Sequence, residues 1–143
     1  MPGRILGGLG LVAVTVAVHA LGLVTMLRWV RRSPAVEAPL FWSGVWLLIR
    51  VAWCLIALHL IEITVWAAFF WWQDCQPDFD HALYFSGVTY ATIGYGDLLL
   101  PAEWRLLAPV EGLTGILMCG LSTAFFFWMM TRLYGTRASQ GQS

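Results

Sequence analysis

Residues 89–97 read TYATIGYGD, a glycine-bearing polar break between long apolar runs. What this break is for decides the fold. The chain around it has 143 residues, 59% of them hydrophobic and 11% charged, with a formal net charge of zero. A soluble globular domain carries about a quarter of its residues as charged side chains. Such a chain belongs in a lipid bilayer, and a polar break inside it needs a reason beyond connecting two helices.

Working outward, three segments are long enough to cross the roughly 30 Å of bilayer hydrocarbon, which takes about 20 helical residues. They run from Ile5 to Trp29, from Gly44 to Trp72 and from Leu106 to Tyr134. The apolar piece from Phe79 to Ala91 is too short to span. It reads as a re-entrant half-helix opened by PDFD, with Asp78 or Asp80 capping the first turn. The first segment is longer than a signal-peptide core and ends in RWVRR without a small-residue cleavage site, so it is expected to be retained. RRSPAVEAPLFWSG reads as a linker followed by a short interfacial piece holding Phe41 and Trp42, and TRASQGQS reads as a short disordered tail. The expected division is a first N-terminal helix with its linker over 1–43, a unit of two spans enclosing the half-helix and the polar break over 44–134, and a short tail over 135–143.

All eight basic residues are arginines. Arg28, Arg31, Arg32, Arg132 and Arg137 fall on one side of the expected spans; Arg4 and Arg105 fall on the other with Asp74, Asp78, Asp80, Asp97 and Glu103. The positive-inside rule then places the N-terminus and the polar break outside and the C-terminus in the cytoplasm, in a multi-pass cell-membrane protein. No basic run exists to hold phosphates, so nucleic acid is excluded as a partner. Cys54, Cys75 and Cys119 form no CxxC. Cys54 and Cys119, inside apolar runs, are expected in core packing; Cys75 sits in a short polar loop, where pairing across subunits is the lesser reading.

Irregular backbone at membrane depth is tolerated only where it is buried in protein or lines a watery path. Gly94 and Gly96 accept left-handed backbone angles, so alternating geometries can turn the carbonyls of Thr92, Ile93, Gly94 and Tyr95 to one side, with the Thr92 hydroxyl at the inner end. One such stripe cannot surround an ion. Four stripes about a rotation axis stack rings of oxygens that replace a cation's hydration shell, so a homotetramer is expected, with the half-helix aiming its negative end at the cavity. Ile93 and Tyr95 are expected to point away from the axis and pack as a cuff.

TIGYGD, standing between two spans, after HALYFSGVTYA and before WRLLAPVEGLTG, resembles the selectivity-filter signature of potassium channels. The resemblance covers Gly44 to Tyr134 and implies an all-α membrane protein: three transmembrane helices, a re-entrant pore helix and a filter loop in a fourfold-symmetric tetrameric pore. It implies that Thr92, Ile93, Gly94, Tyr95 and Gly96 form the filter and that potassium binds at Thr92, Ile93, Gly94 and Tyr95. It also implies that Asp97 stands behind the outer mouth, braced by a hydrogen bond from Tyr84, and that Gly115 occupies the hinge position, although close packing explains that glycine equally well. Val88 departs from members that carry a buried glutamate there. Helical spacing from Gly115 puts Ile116, Cys119, Thr123 and Phe127 on one face, the expected pore lining, with Phe127 as a dewetting gate in STAFFFWMM and Phe125 and Phe126 packed outward.

Five ionisable groups fall within spans: His19, Arg50, His59, Glu62 and Glu111. Arg50 reads as a snorkelling side chain. His59 and Glu62 share a helix face, and His19 lies at similar depth on an antiparallel span. The three fit an interhelical hydrogen-bonded clamp, the favoured reading, or else a transition-metal site or proton sensor. Glu111 is expected in the first turn of the inner helix, favoured there by the helix dipole, with filter support as the other reading. The function expected is passive, potassium-selective conduction through identical subunits in the bilayer, with no enzymatic activity and no cofactor besides the permeant ion. The first span lacks the arginine repeat of a voltage sensor. The rival functions are a non-conducting pore-like regulatory subunit or scaffold, and a membrane metalloprotein or enzyme built on His19, His59 and Glu62.

Overall fold

The computed structural model of the chain describes residues 2–33 and 41–140. They form four helices, α1 (Pro2–Arg31), α2 (Phe41–Trp72), α3 (Phe79–Tyr90) and α4 (Leu107–Gln140), with no strand among the described residues. Three stretches are long and apolar enough to cross a membrane, Leu6–Arg31, Trp42–Trp72 and Leu107–Tyr134, as expected from the hydrophobic runs.

Local chemistry explains most of the boundaries. Arg28 and Arg31 stand in the last turn of α1, where cations complement the negative end of the helix. At the end of α2 the chain turns through Asp74 at φ 52°, with Asp74 N–H donating to Trp71 C=O at 3.1 Å and Cys75 N–H to Phe70 C=O at 2.9 Å. This is a Schellman termination with aspartate in the left-handed place that glycine more often takes. Of the two aspartates expected to cap the pore helix α3, Asp78 does so: its carboxylate accepts from the backbone N–H of His81 at 2.8 Å. The His81 backbone and side-chain donors hold that carboxyl below its usual range.

Two boundaries differ from the sequence reading. Phe41 and Trp42 belong to the first turn of α2 and not to a separate interfacial piece, since no proline stands between Pro39, which itself lies outside the described residues, and the end of α2, and the helix carries Gly44 within it. At the other end, α4 runs on through Gly135 to Gln140, where the sequence reading begins a disordered tail; residues 141–143 of that tail lie outside the described residues. No proline interrupts that stretch, and one glycine costs a helix only about 1 kcal/mol.

The helices bury two apolar clusters. One gathers Leu11 of α1, Trp66 and Phe70 of α2, Phe85 and Tyr90 of α3 and Leu107 and Met118 of α4. The other joins Met26 and Val30, Leu47 to Leu58, and Met129 and Leu133. This pairing makes α1 and α4 run the same way and α2 the opposite way. Between the clusters, at residues 19, 62 and 122, the buried side chains turn polar: His19, Glu62 and Ser122. Lipid tails are as apolar as leucine, so burial alone does not hold these helices together; close packing and interhelical hydrogen bonds do, the latter at roughly 0.6–2 kcal/mol each. Trp66 Nε1–H, donating to Thr15 Oγ1 at 3.1 Å, is one such bond between α2 and α1.

Candidate pore loop and mid-membrane cluster

The pore helix is held against α2 by edge-to-face aromatic contact, with Phe70 and Phe85 ring centroids 5.5 Å apart at 84°. Its C-terminus sets the direction of the backbone over residues 92–96. Ile93 N–H and Gly94 N–H both donate to Val88 C=O, at 2.8 and 3.1 Å. In a trans peptide the C=O opposes the N–H, so the carbonyls of Thr92 and Ile93 point away from the pore helix. Two consecutive carbonyls facing one way require alternating backbone hands. Thr92, Gly94 and Gly96 have φ of 59°, 54° and 77°, while Ile93 and Tyr95 between them do not take positive values. The sequence reading assigned left-handed geometry to the glycines alone; Thr92 shares it at a steric cost that an L residue seldom accepts. In the single chain Ile93 and Tyr95 are exposed, and an open groove of about 470 Å³ lies between the filter and α4, lined by Val88, Thr92, Gly94, Leu113 and Ile116.

At the end of the glycine-bearing loop Tyr84 Oη donates to Asp97 Oδ2 at 2.8 Å, as the resemblance implied. Acceptance by the carboxylate pushes the Tyr84 phenol above its ordinary value, which keeps it a donor. Behind the filter, Glu111 lies in the second turn of α4, not the first, and is fully buried. Neither of its oxygens nor the Ser86 hydroxyl that faces it has a hydrogen-bond partner among the described residues. The first-turn position expected of Glu111 is thereby replaced by a carboxyl buried at the back of the pore helix, facing Ser86.

Gly115 is buried against the end of the pore helix, where an added Cβ would come within 2.1 Å of the Tyr90 carbonyl oxygen. Of the two readings of this glycine, the contact supports close packing. Further along α4, Ile116, Cys119, Thr123 and Phe127 are all exposed in the single chain, and Phe127 is 68% exposed. Phe125 and Phe126 pack on the second apolar cluster. The Thr123 hydroxyl donates to Cys119 C=O at 2.9 Å, so its polarity does not by itself decide against a lipid-facing position. Cys54 and Cys119, expected in the core, are exposed, whereas Cys75, in the short polar loop, is buried with its thiol toward Gln73 C=O at 3.7 Å. Cys75 is thus shielded from pairing between chains. Arg50 is exposed.

The structure brings His19, His59 and Glu62 together and adds two residues the sequence reading missed. His19 Nδ1 lies 2.8 Å from Glu62 Oε1, and His59 Nδ1 lies 3.2 Å from Glu62 Oε2. Tyr90 donates its hydroxyl proton to Glu62 Oε2 and sits 3.1 Å from His59 Nδ1. Ser122 Oγ lies 3.0 Å from His59 Nε2 and 3.4 Å from His19 Nε2. All four helices therefore meet at one polar point, and Tyr90 lies two residues before Thr92. In sequence, Tyr90 and Ser122 are ordinary members of apolar helices; only matching the depths of every hydrogen-bonding side chain would have found them.

A family model described as "Ion channel" matches residues 54–132, more than half of the chain's 143 residues. The match starts inside α2 and ends inside α4, with α1 outside it. Searches of curated proteins and of solved structures give no match.

Proposed function

Since the chain belongs to the ion channel family, we propose that four copies assemble around one axis into a potassium-selective pore that conducts passively across the cell membrane. The observation that carries this reading is the alternation at Thr92, Gly94 and Gly96, with the Ile93 and Gly94 N–H groups tied back to Val88. It leaves successive carbonyls free on the side away from the pore helix, where four chains would close them into oxygen rings able to replace a cation's water. The exposed Ile93 and Tyr95 and the open apolar groove beside them are surfaces that a neighbouring copy would cover. Tyr84 and Asp97 brace the outer mouth, and Glu111 backs the pore helix.

The arginine distribution orients the pore with its filter mouth outside and the C-terminus in the cytoplasm. The proposal contains no enzymatic step. Purified protein in liposomes tests it: a potassium gradient should drive flux that sodium does not support and that scales with tetramer content. Equal potassium and sodium flux, or none from intact tetramers across a range of voltages and pH values, defeats it.

A further inference from the structure

Hydrogen bonds alone satisfy the mid-membrane cluster when its two rings carry their protons on different nitrogens, Ser122 donating to one ring and accepting from the other; the remaining tautomers decide whether the site can also take an ion. Each imidazole turns Nδ1 to the Glu62 carboxylate, at 2.8 and 3.2 Å, and Nε2 to the single Ser122 hydroxyl, at 3.4 and 3.0 Å. A neutral imidazole carries one N–H. With both protons on Nδ1, two bare Nε2 atoms face a serine that has one proton to give, and one of them goes without a donor. With both protons on Nε2, the two lone pairs of Ser122 Oγ accept both N–H groups. Two bare Nδ1 atoms and the carboxylate then converge as a set of lone pairs, the arrangement in which a cation between them is bound most favourably. His19 and Glu62 are fully buried, and among the described residues Glu62 pairs with the two imidazoles and with no arginine.

We infer that His19, His59 and Glu62 form a binding site for a divalent transition-metal ion of the zinc class. Two imidazoles and one carboxylate are an established zinc ligand set, and their ligand atoms lie within 4.8 Å of one another. Ligands about 2.0–2.1 Å from a tetrahedral ion stand roughly 3.3 Å apart, so small side-chain adjustments seat the ion. Tyr90 Oη, 3.1 Å from His59 Nδ1, supplies the fourth donor. Ser122 fixes both ring tautomers by accepting from the far nitrogens, the arrangement that metal-bound histidines require. The ion would tie α1 and α2 to the residue that leads into the filter. The site lies within one chain, and its existence does not depend on potassium conduction.

The test uses full-length protein. Protein expressed with zinc in the medium and purified without chelator should carry close to one zinc per chain by elemental analysis. Metal-stripped protein titrated with Co2+ should show the visible absorption of a tetrahedral site, abolished by excess Zn2+. Glu62→Gln and His59→Ala should lose both signals. Because either can disturb a buried network, Ser122→Ala serves as the milder variant, expected to fold and to bind about 10–100-fold more weakly. His81→Ala, at an exposed position outside the cluster, should bind normally. Absence of zinc and of cobalt absorption in folded wild type overturns the inference, as does unchanged binding in folded His59→Ala or loss of binding in His81→Ala.

Discussion

Gly115 of the inner helix touches the Tyr90 carbonyl so closely that a methyl group added to it would stand 2.1 Å from that oxygen. The neighbour is backbone at the end of the pore helix and cannot swing aside. Gly115→Ala should therefore cost about 1–3 kcal/mol per chain as an overpacked contact. Thermal melting of the tetramer in detergent checks this, with Gly120→Ala as control because a Cβ there meets nothing within 4 Å. If Gly115 instead acts mainly as a hinge, Gly115→Ala will melt like wild type and alter only the opening rate.

Gly94 at φ 54° holds a backbone hand that costs an L residue roughly 1–2 kcal/mol. The strain recurs in every copy of the proposed ring. Gly94→Ala should abolish potassium over sodium preference, or assembly itself, in liposome flux and size-exclusion measurements. Unchanged selectivity would remove Gly94 from the filter.

Tyr84→Phe deletes the hydroxyl that bonds Asp97 at 2.8 Å while keeping the ring. Both side chains are exposed, so folding should be nearly unaffected. The expected change is a several-fold reduction in steady-state potassium flux as the outer mouth loses its brace. Asp97→Asn, which retains an acceptor, should be milder. Equal flux in Tyr84→Phe and wild type would show that the bond has no bearing on conduction.

Phe127 projects freely from α4, whereas Phe125 and Phe126 lie against the second apolar cluster. Rings from four chains on one axis can exclude water from a pore without touching. Phe127→Ser should raise basal flux from a closed starting state. Phe125→Ala should mainly lower the melting temperature.

The Asp78 cap carries a pH signature. Donors from His81 hold its carboxyl below the ordinary 3.8, so it is the ionised form that stabilises α3. That contribution is complete above the ordinary value and disappears as pH falls through the depressed one. The melting difference between wild type and Asp78→Ala should be constant near neutrality and shrink in acid below pH 3.8. A difference that grows on acidification would mean that the cap acts through some other group.

Features governed by local chemistry were legible in the sequence. Span lengths, the half-helix, its cap and the glycine alternation all follow from hydropathy, capping and φ preference within a few residues. What escaped depends on side chains that meet only after the helices pack. Glu111 looks like a first-turn carboxylate if Pro109 marks the helix start, but α4 begins at Leu107 and turns Glu111 inward onto Ser86. Thr92 gives no sign of its positive φ, since threonine rarely adopts it; the pull of two N–H groups on Val88 C=O goes with that conformation. The apolar neighbourhoods of Cys54 and Cys119 point to the interior, yet in a bilayer an apolar neighbourhood is equally the mark of an outward face.

The polar layer at mid-depth also constrains how the protein is made. Glu62 enters the bilayer on α2 with His59 one turn before it, and a carboxylate at the centre of a lone span is expensive to insert, at about 2.5–3.5 kcal/mol on the scale that applies to aspartate. The helix that relieves that cost during synthesis is α1, which precedes it and offers His19 at the same depth. Tyr90 and Ser122 emerge only later. The N-terminal helix, outside the family match, therefore offers Glu62 a buried partner before Tyr90 and Ser122 have been made.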